Sequence, residues 1–212
     1  MGLWSRVFAS FYDRMLAPSE AAGLGDLRES VVSQASGRVI EIGAGTGLNL
    51  PYYPAEAELV LAEPHGPMAR RLEQRRARLG RDAEVVSAPA EALPFADGSF
   101  DAAVATLVLC TVPDVSGALG ELRRVLRPGA PLLFLEHVRS ADPTLARAQD
   151  RWAPLWRRVG DGCYCNRDTL RAIELSGFDV AEVRDDRLRK ARPIVSPLIV
   201  GRALAPSAAS AV

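Results

Sequence analysis

The sequence predicts an α/β protein whose core is a doubly wound, mostly parallel sheet of seven strands. Short apolar runs alternate with stretches of helical periodicity, which is the pattern of parallel strands joined by helices. The first two runs each end in a carboxylate, Glu41 and Glu63, and ligands of such sheets bind at strand carboxyl ends. The last two runs lack an intervening helix, so we expect them to form an antiparallel hairpin at one edge.

The N-terminal segment, residues 1–36, is expected to form a helical lid over the ligand edge of the sheet. Apolar and aromatic residues recur every three or four positions over residues 3–15, which predicts an amphipathic helix. We expect this helix to end at Ala17-Pro18, because the residue before a proline disfavours the helical conformation. A second helix is predicted over residues 20–33.

The remaining elements follow from the same patterns. Strands are predicted where apolar residues cluster between turn signals, at residues 38–42, 59–62, 83–87, 100–106, 131–135, 179–185 and 194–204. Helices are predicted where apolar residues recur at helical spacing, at residues 48–53, 67–79, 115–125 and 169–176. Residues 140–168 form an insertion that we expect to shape a binding pocket. Residues 206–212 form a small-residue tail that we expect to be disordered.

Length and composition indicate one globular domain over residues 1–205. The 212 residues are 48% hydrophobic and 25% charged, and the net charge of +0 supplies no basic field for nucleic acid. No apolar stretch reaches the roughly 18 residues of a transmembrane helix, and no secretory signal pattern is present. The three cysteines are too few for a disulfide framework, so we expect a reduced, cytoplasmic protein.

A glycine-rich turn follows the first predicted strand, in the segment Glu41-Ile42-Gly43-Ala44-Gly45-Thr46-Gly47. Glycine lets the backbone turn sharply and approach a ligand closely. The G-x-G-x-G spacing differs from the G-x-G-x-x-G that binds a dinucleotide pyrophosphate. Glu63, at the end of the second strand, can accept hydrogen bonds from both hydroxyls of a ribose. We therefore predict a nucleoside pocket without a diphosphate, for which S-adenosylmethionine (SAM) is the commonest cofactor.

Three motifs, in order along the chain, resemble those of the class I SAM-dependent methyltransferases, which have a Rossmann-like fold. They are the glycine-rich segment, residues 90–95 with Phe100-Asp101, and Val125-Leu126-Arg127-Pro128-Gly129. The second motif resembles the branch that includes the ubiquinone and menaquinone methyltransferases. The resemblance covers residues 38–137 and implies SAM as cofactor, with S-adenosylhomocysteine as product. Pro89 stands where many relatives carry an aspartate that binds adenine, which leaves adenine to the backbone near Ala90 and to apolar stacking.

A narrower resemblance connects the chain to the microsomal alkyl-thiol S-methyltransferases. It rests on residues 106–110, Glu136-His137-Val138, Asp161-Gly162-Cys163 and Arg167. That family carries an N-terminal hydrophobic anchor that is missing here, so the pattern implies a soluble relative. The resemblance implies that the methyl acceptor is a small hydrophobic thiol or dithiol.

Cofactor-binding residues are expected at the carboxyl ends of the strands and in the loops that follow. We assign this role to Glu41, Gly43, Gly45, Gly47, Glu63, Pro64, Met68, Ala90, Glu91 and Thr106. Glu63 would bind the ribose, whereas Glu41 would either fix the loop or reach the cofactor's ammonium group through water. Thr106 would either bond the cofactor or cap the next element.

Catalytic candidates end the fifth strand or lie in the insertion, and they are Glu136, His137, Asp161 and Cys163. A histidine of ordinary pKa can take a proton at neutral pH, so His137 is the first candidate for a base or an acceptor-positioning group. A purely structural role at a strand end is the alternative. A thiol ionises near a pH of about 8.5, so a thiol acceptor needs little activation. Asp161 and Cys163 would shape the acceptor pocket or form a plain turn.

Aromatic and apolar side chains outside the central sheet are expected to cover the substrate pocket, and they are Phe8, Tyr12, Leu109, Trp152 and Trp156. Such a lid would exclude water and favour a bare thiolate beside a sulfonium, although each residue could instead belong to the core. The Cys163-x-Cys165 pair lacks the four ligands and usual spacing of structural zinc, so we expect no metal.

The sequence thus favours S-methylation of a small hydrophobic thiol. The alternatives are O-, C- or N-methylation of a quinol, a phenolic metabolite or a lipid amine, and a SAM-binding scaffold without turnover. A nucleic-acid methyltransferase is disfavoured, because the chain has no base-flipping motif and no net basic charge.

Overall fold

A computed structural model describes residues 3–207, with side chains from residue 6 onward. Most of the predicted tail therefore lies outside the described residues. Seven strands form one sheet in this range: β1 (Arg38–Ile42), β2 (Glu58–Ala62), β3 (Glu84–Val86), β4 (Ala102–Thr106), β5 (Pro131–His137), β6 (Asp179–Arg187) and β7 (Pro197–Leu204). Their spatial order is β3-β2-β1-β4-β5-β7-β6.

The sheet is parallel in its first five strands and antiparallel at one edge. β7 pairs antiparallel with both β5 and β6, so the predicted edge hairpin is confirmed. The strand order reverses between β1 and β4, which pair with each other in parallel. In sheets of this kind the connections diverge at that point and leave a crevice at the strand carboxyl ends. The fold therefore provides a binding crevice after Ile42 and Thr106.

Helices cover both faces of the sheet. They are α1 (Leu3–Ser19), α2 (Gly25–Val32), α3 (Gly66–Leu79), α4 (Val115–Val125), α5 (Pro143–Val159) and α6 (Thr169–Leu175). Alternate residues of the strands enter opposite core clusters: Ile40 packs in one and Val39 in the other. β4 is buried along its whole length, as expected for a central strand with helices on both sides.

α1 ends at Ser19, one residue beyond the predicted stop at Pro18. Residues Glu20–Leu24 connect it to α2 through a kink rather than a continuous helix. The kink lies at Gly23, whose φ of 121° is open to glycine. Accordingly, the second helix is shorter than predicted.

The insertion at 140–168 is mainly α5, and one buried side chain fixes it to the sheet. Gln149 Nε2 donates to the carbonyl oxygens of Val138, Cys165 and Ile194 at 2.8–3.0 Å, and its Oε1 accepts from the backbone N–H of Ser140. These bonds hold the C-terminal half of the insertion beside the carboxyl end of β5.

Candidate active site

A cavity of about 720 Å³ opens at the carboxyl ends of β1, β4 and β5, beneath α1. A volume in this range suits a cofactor together with a small organic molecule. Most of the predicted site residues line it: Phe8, Tyr12, Gly43, Gly45, Glu63, Pro64, Met68, Ala90, Glu91, His137, Trp156, Asp161 and Cys163. Pro89, which stands where many relatives carry an aspartate, also lines the cavity.

The glycine turn needs its glycines for two different reasons. Gly43 and Gly45 have φ near 58° and 59°, a region that other residues enter at a cost. A Cβ on Gly43 would lie 2.2 Å from Val108 Cγ2, whereas one on Gly45 would make only an ordinary contact, 3.8 Å from the carbonyl oxygen of Gly43. Gly47 does not face the cavity: its Cβ would collide with Leu50 and Leu72. The predicted cofactor role of Gly47 is therefore corrected to close packing of the turn on the core.

The carboxylate of Glu63 joins two loops of the site. Its Oε2 accepts from the backbone N–H of Gly45 at 2.8 Å, and its Oε1 accepts from that of His65 at 2.7 Å. Burial raises the pKa of Glu63 above its ordinary value, and these two bonds oppose the rise. Each oxygen has a second lone pair and Glu63 lines the cavity, so the carboxylate can still accept bonds from a bound diol.

A small polar recess continues from the cavity behind the glycine turn, and it contains a buried cation. Arg28 Nη1 donates to Asn49 Oδ1 at 2.9 Å and to Thr106 Oγ1 at 3.3 Å, and Nε pairs with Glu20 at 3.0 Å. The recess is lined by Arg28, Glu41, Asn49 and Thr106 and shares Gly43 and Gly45 with the main cavity. The sequence prediction missed Arg28 and Asn49, because neither belongs to a motif and only the fold brings them to the site.

Glu41 is held by side chains rather than by loop amides. It accepts hydrogen bonds from Asn49 Nδ2 and Tyr53 Oη, each at 2.8 Å. Burial raises its pKa from 4.5 to about 7, although both bonds and Arg28 oppose the rise. Thr106 accepts a bond from the same Asn49 amide at 2.8 Å. Glu41 and Thr106 therefore belong to one network that supports the glycine turn.

Glu136 is not placed to contact a substrate, which corrects its predicted catalytic role. The residue is 0% exposed. Its Oε1 accepts from the backbone N–H groups of Val108 and Leu109 at 2.9 and 2.8 Å, and Oε2 accepts from that of Cys110 at 3.2 Å. Burial raises its pKa to about 7 against these three bonds. Glu136 therefore fixes the turn that follows β4.

Two thiols and an imidazole meet in the cavity wall. His137 Nδ1 lies 3.6 Å from Cys110 Sγ and 3.7 Å from Cys163 Sγ, and the two sulfur atoms are 3.9 Å apart. The contact with Cys110 and the nearby imidazole hold the pKa of the Cys163 thiol well below its usual value, while the pKa of the Cys110 thiol is raised. Burial disfavours a charged His137, but the contact with Cys163 outweighs it and raises the His137 pKa. Cys110 lies within residues 106–110, one of the segments that resemble the thiol S-methyltransferases. Nothing in the sequence indicated that it would contact His137 and Cys163.

Two of the predicted pocket residues are elsewhere. Leu109 is fully buried in the core beneath the β4 turn, because Glu136 binds its amide and turns the chain inward. Trp152, one helical turn before Trp156 on α5, is 48% exposed and does not line the cavity. The pocket is completed instead by the connection between β6 and β7, with Leu188, Ala191 and Val195 in its wall. The sequence of the β6–β7 hairpin gave no indication that its connecting loop would line the cavity.

In the part of the chain that the structure describes, no helix combines the length and apolarity needed to cross a bilayer.

Comparison with known proteins identifies the class. Residues 40–134 match the family described as a methyltransferase domain. The thiol S-methyltransferase TMT1B of Homo sapiens is 32% identical over 225 residues, which cover 96% of this chain and 90% of that protein. The ubiquinone/menaquinone biosynthesis C-methyltransferase UbiE of Hahella chejuensis is 36% identical over 126 residues, 55% of this chain and 49% of that protein. A SAM-dependent methyltransferase structure from Thermotoga maritima superposes with a TM-score of 0.69 at 22% identity, over 95% of this chain and 97% of that one.

The reversed strand order, the glycine turn and these similarities define a class I SAM-dependent methyltransferase, with SAM as its cofactor. Within that class, the chain belongs to the family that contains the thiol S-methyltransferases.

Proposed function

We propose that this enzyme transfers the methyl group of SAM to the sulfur of a small hydrophobic thiol. The observation that carries the proposal is the cavity itself, in which a nucleoside seat adjoins a wall of two thiols and an imidazole. The similarity to human TMT1B over 96% of the chain supports the same acceptor class.

The residues present fit the cofactor. Gly45 lines the cavity, and the Glu63 carboxylate, which binds its backbone N–H, lines the same cavity. We assign the ribose to Glu63, the adenine to the surface formed by Pro64, Met68 and Ala90, and the methionine part to the cavity beside Gly43 and Gly45, which the cavity shares with the small recess that contains Arg28. A buried guanidinium is suited to the α-carboxylate of that part, because charge-assisted bonds are the stronger ones. Bound there, the cofactor supplies an electrophilic methyl group on a sulfonium.

The acceptor would occupy the apolar end of the cavity. Phe8, Tyr12 and Trp156 contribute to its wall, together with Val195 from the β6–β7 connection. An enclosed apolar site keeps water from a thiolate and strengthens its attraction to a sulfonium. We therefore expect small, hydrophobic thiols to be better acceptors than charged ones such as free cysteine.

The chain's own chemical contribution would be to orient the acceptor sulfur and to favour its ionised form. His137 and Cys163 form the wall at the place where that sulfur would lie. We propose that His137 positions the acceptor, and that Asp161, on the adjoining turn, shapes the same pocket. Correct alignment alone lowers the barrier of an in-line displacement substantially, because the donor is already activated by its charge.

A panel of acceptors tests the proposal. Matched hydrophobic thiols, phenols and amines of similar size are incubated with labelled SAM, and product is measured for each. Methylation of thiols alone supports the proposal. Turnover confined to phenols or amines would overturn it, and cofactor binding without any product would indicate a scaffold.

We also propose a domain organisation and a cellular compartment for this enzyme. We propose that residues 1–36 and 140–168 form the lid and the acceptor pocket of a single domain over residues 1–205. All three cysteines are free thiols, which supports a reducing compartment such as the cytoplasm.

A further inference from the structure

We propose that Cys110, His137 and Cys163 bind a zinc ion whose fourth ligand is the sulfur of the methyl acceptor. This inference rests on the proposed thiol methylation and adds a metal to it. The metal-free expectation from the sequence concerned a different pair, Cys163 with Cys165. The structure brings Cys163 together with Cys110 instead.

The geometry of the three ligand atoms carries the inference. Tetrahedral zinc with Zn–S of about 2.3 Å and Zn–N of about 2.0–2.1 Å requires S···N separations of about 3.6 Å and an S···S separation of about 3.8 Å. The observed separations are 3.6 and 3.7 Å from Nδ1 to the two sulfur atoms and 3.9 Å between the sulfur atoms. The separations of the three atoms thus match one face of a zinc tetrahedron.

The ligand set is that of a catalytic rather than a structural site. Structural zinc usually has four protein ligands, whereas catalytic zinc has three and keeps one position open. All three residues line the main cavity, so the open position faces the space assigned to the acceptor. Two thiolates would neutralise the charge of Zn²⁺, which favours a site in an apolar wall.

The protein holds these ligands rigidly. Cys110 is fixed from both sides, because its N–H binds the Glu136 carboxylate at 3.2 Å and its carbonyl accepts from Tyr164 N–H at 2.7 Å. Cys163 and Cys110 are 6% and 1% exposed, and His137 ends the buried strand β5. Among the described residues, no partner binds the buried Nε2 of His137, which leaves Nδ1 as the contact atom of this ring.

A metal-free arrangement satisfies the cluster less well. Nδ1 of a neutral imidazole has one lone pair and can accept one hydrogen bond, yet two thiols approach it at nearly equal distances. Zinc would engage both sulfur atoms and the nitrogen at once.

In the proposed step, one bond to the methyl carbon forms while another breaks. The acceptor thiol displaces water from zinc and releases its proton to solvent, so that its sulfur is bound as a thiolate. This sulfur then forms a bond to the methyl carbon while the bond between that carbon and the sulfonium sulfur breaks. The electron pair of the broken bond stays on the cofactor sulfur, which becomes neutral. The thioether product is a weak ligand and leaves, and water returns.

Metal content of the full-length protein tests the site. After growth with zinc and extensive dialysis, we expect about one zinc per chain by elemental analysis, and its loss in Cys110→Ser, Cys163→Ser and His137→Gln. Cys165→Ser is the matched control: it is buried and comes from the same loop, but lies outside the cluster. It should keep its zinc. A zinc-free wild-type protein that also fails to take up added Zn²⁺ would overturn the inference, as would equal zinc content in all variants.

Cobalt substitution tests the open position without relying on turnover. We expect Co²⁺ to give thiolate-to-metal charge-transfer absorption that intensifies when a small thiol is added in the absence of SAM. The same thiol should not change the spectrum of the Cys163→Ser variant. A spectrum unaffected by thiol in the wild type would contradict a zinc-bound acceptor.

The outcomes separate this inference from the proposed function. If thiols are methylated by protein that contains no zinc and is insensitive to chelators, the metal site fails while thiol methylation stands. If zinc is bound but only phenols or amines are methylated, the acceptor assignment fails while the metal site stands. A Cys110–Cys163 disulfide that persists in protein treated with a thiol reductant would also count against the metal site.

Discussion

Glu63, at the end of β2, accepts a hydrogen bond from the backbone N–H of Gly45 at 2.8 Å. One carboxylate therefore sets the shape of the glycine turn while facing the cavity assigned to the cofactor. The loop after β1 and the end of β2 act as one unit, and a change at either is expected to alter cofactor binding.

Glu63→Gln should weaken binding of S-adenosylhomocysteine about tenfold to hundredfold, measured by calorimetry. A glutamine oxygen can accept from Gly45 or His65 but its amide cannot, and one bond to a charged group contributes about 1.5–3 kcal/mol. Glu84→Gln, an exposed change at the start of β3, is the control and should bind normally. Unchanged affinity in Glu63→Gln would remove Glu63 from the cofactor site.

Gly43→Ala should destabilise the fold more than an ordinary left-handed glycine does. The backbone strain of about 1–2 kcal/mol adds to the clash with Val108, which typically costs about 1–3 kcal/mol. Gly80→Ala has a similar φ of 61° but nothing within 4 Å of the new Cβ, so it reports the strain alone. Urea unfolding of both variants measures the difference. Equal losses would mean that Val108 can move away without cost.

Glu136 should make the protein less stable as the pH rises. Its folded-state pKa is about 7 and its ordinary value is 4.5, so the folded state binds the extra proton between these values. The stabilisation is fully present below pH 4.5 and is lost as the pH rises through about 7, on the order of 3 kcal/mol in all. Glu136→Gln should remove this contribution to the slope, whatever the constant cost of the substitution, while the similar contribution of Glu41 remains. Urea unfolding across that window checks it, and parallel curves for both proteins would contradict the assignment.

Trp156→Leu should raise the KM for a hydrophobic acceptor several-fold, whereas Trp152→Leu should leave it unchanged. Trp156 lines the cavity and packs on the cysteine cluster, but Trp152 is 48% exposed on the same helix. Steady-state kinetics with one thiol at saturating SAM makes the comparison. Equal effects of the two changes would show that the acceptor pocket extends along α5 as far as Trp152.

Local signals determined the parts of the fold that were predicted well. β1 and α4 have the predicted bounds, Arg38–Ile42 and Val115–Val125, because glycine or proline turns adjoin them. The carboxyl-end placement of Glu63 follows from parallel strands alone. The first helix ends at Ser19, within one residue of the predicted stop at Pro18, because the residue before a proline disfavours the helical conformation.

The site could be predicted only where a motif carries it. Arg28, Asn49 and Cys110 reach the site from separate elements, and no local pattern marks their contacts. Trp152 and Trp156 lie four residues apart and looked equivalent, yet only the C-terminal end of α5 meets the cavity. Glu136 and His137 are neighbours on β5, so their side chains point to opposite faces and only one can enter the cavity.

The most direct measurement uses one acceptor that carries both a thiol and a phenolic hydroxyl on a small ring. Such a molecule offers two nucleophiles to the same pocket with the same size and hydrophobicity. After incubation with SAM, mass spectrometry and NMR of the product establish which atom carries the new methyl group. We predict the S-methyl product alone. An O-methyl product would contradict the proposed methylation of a thiol sulfur.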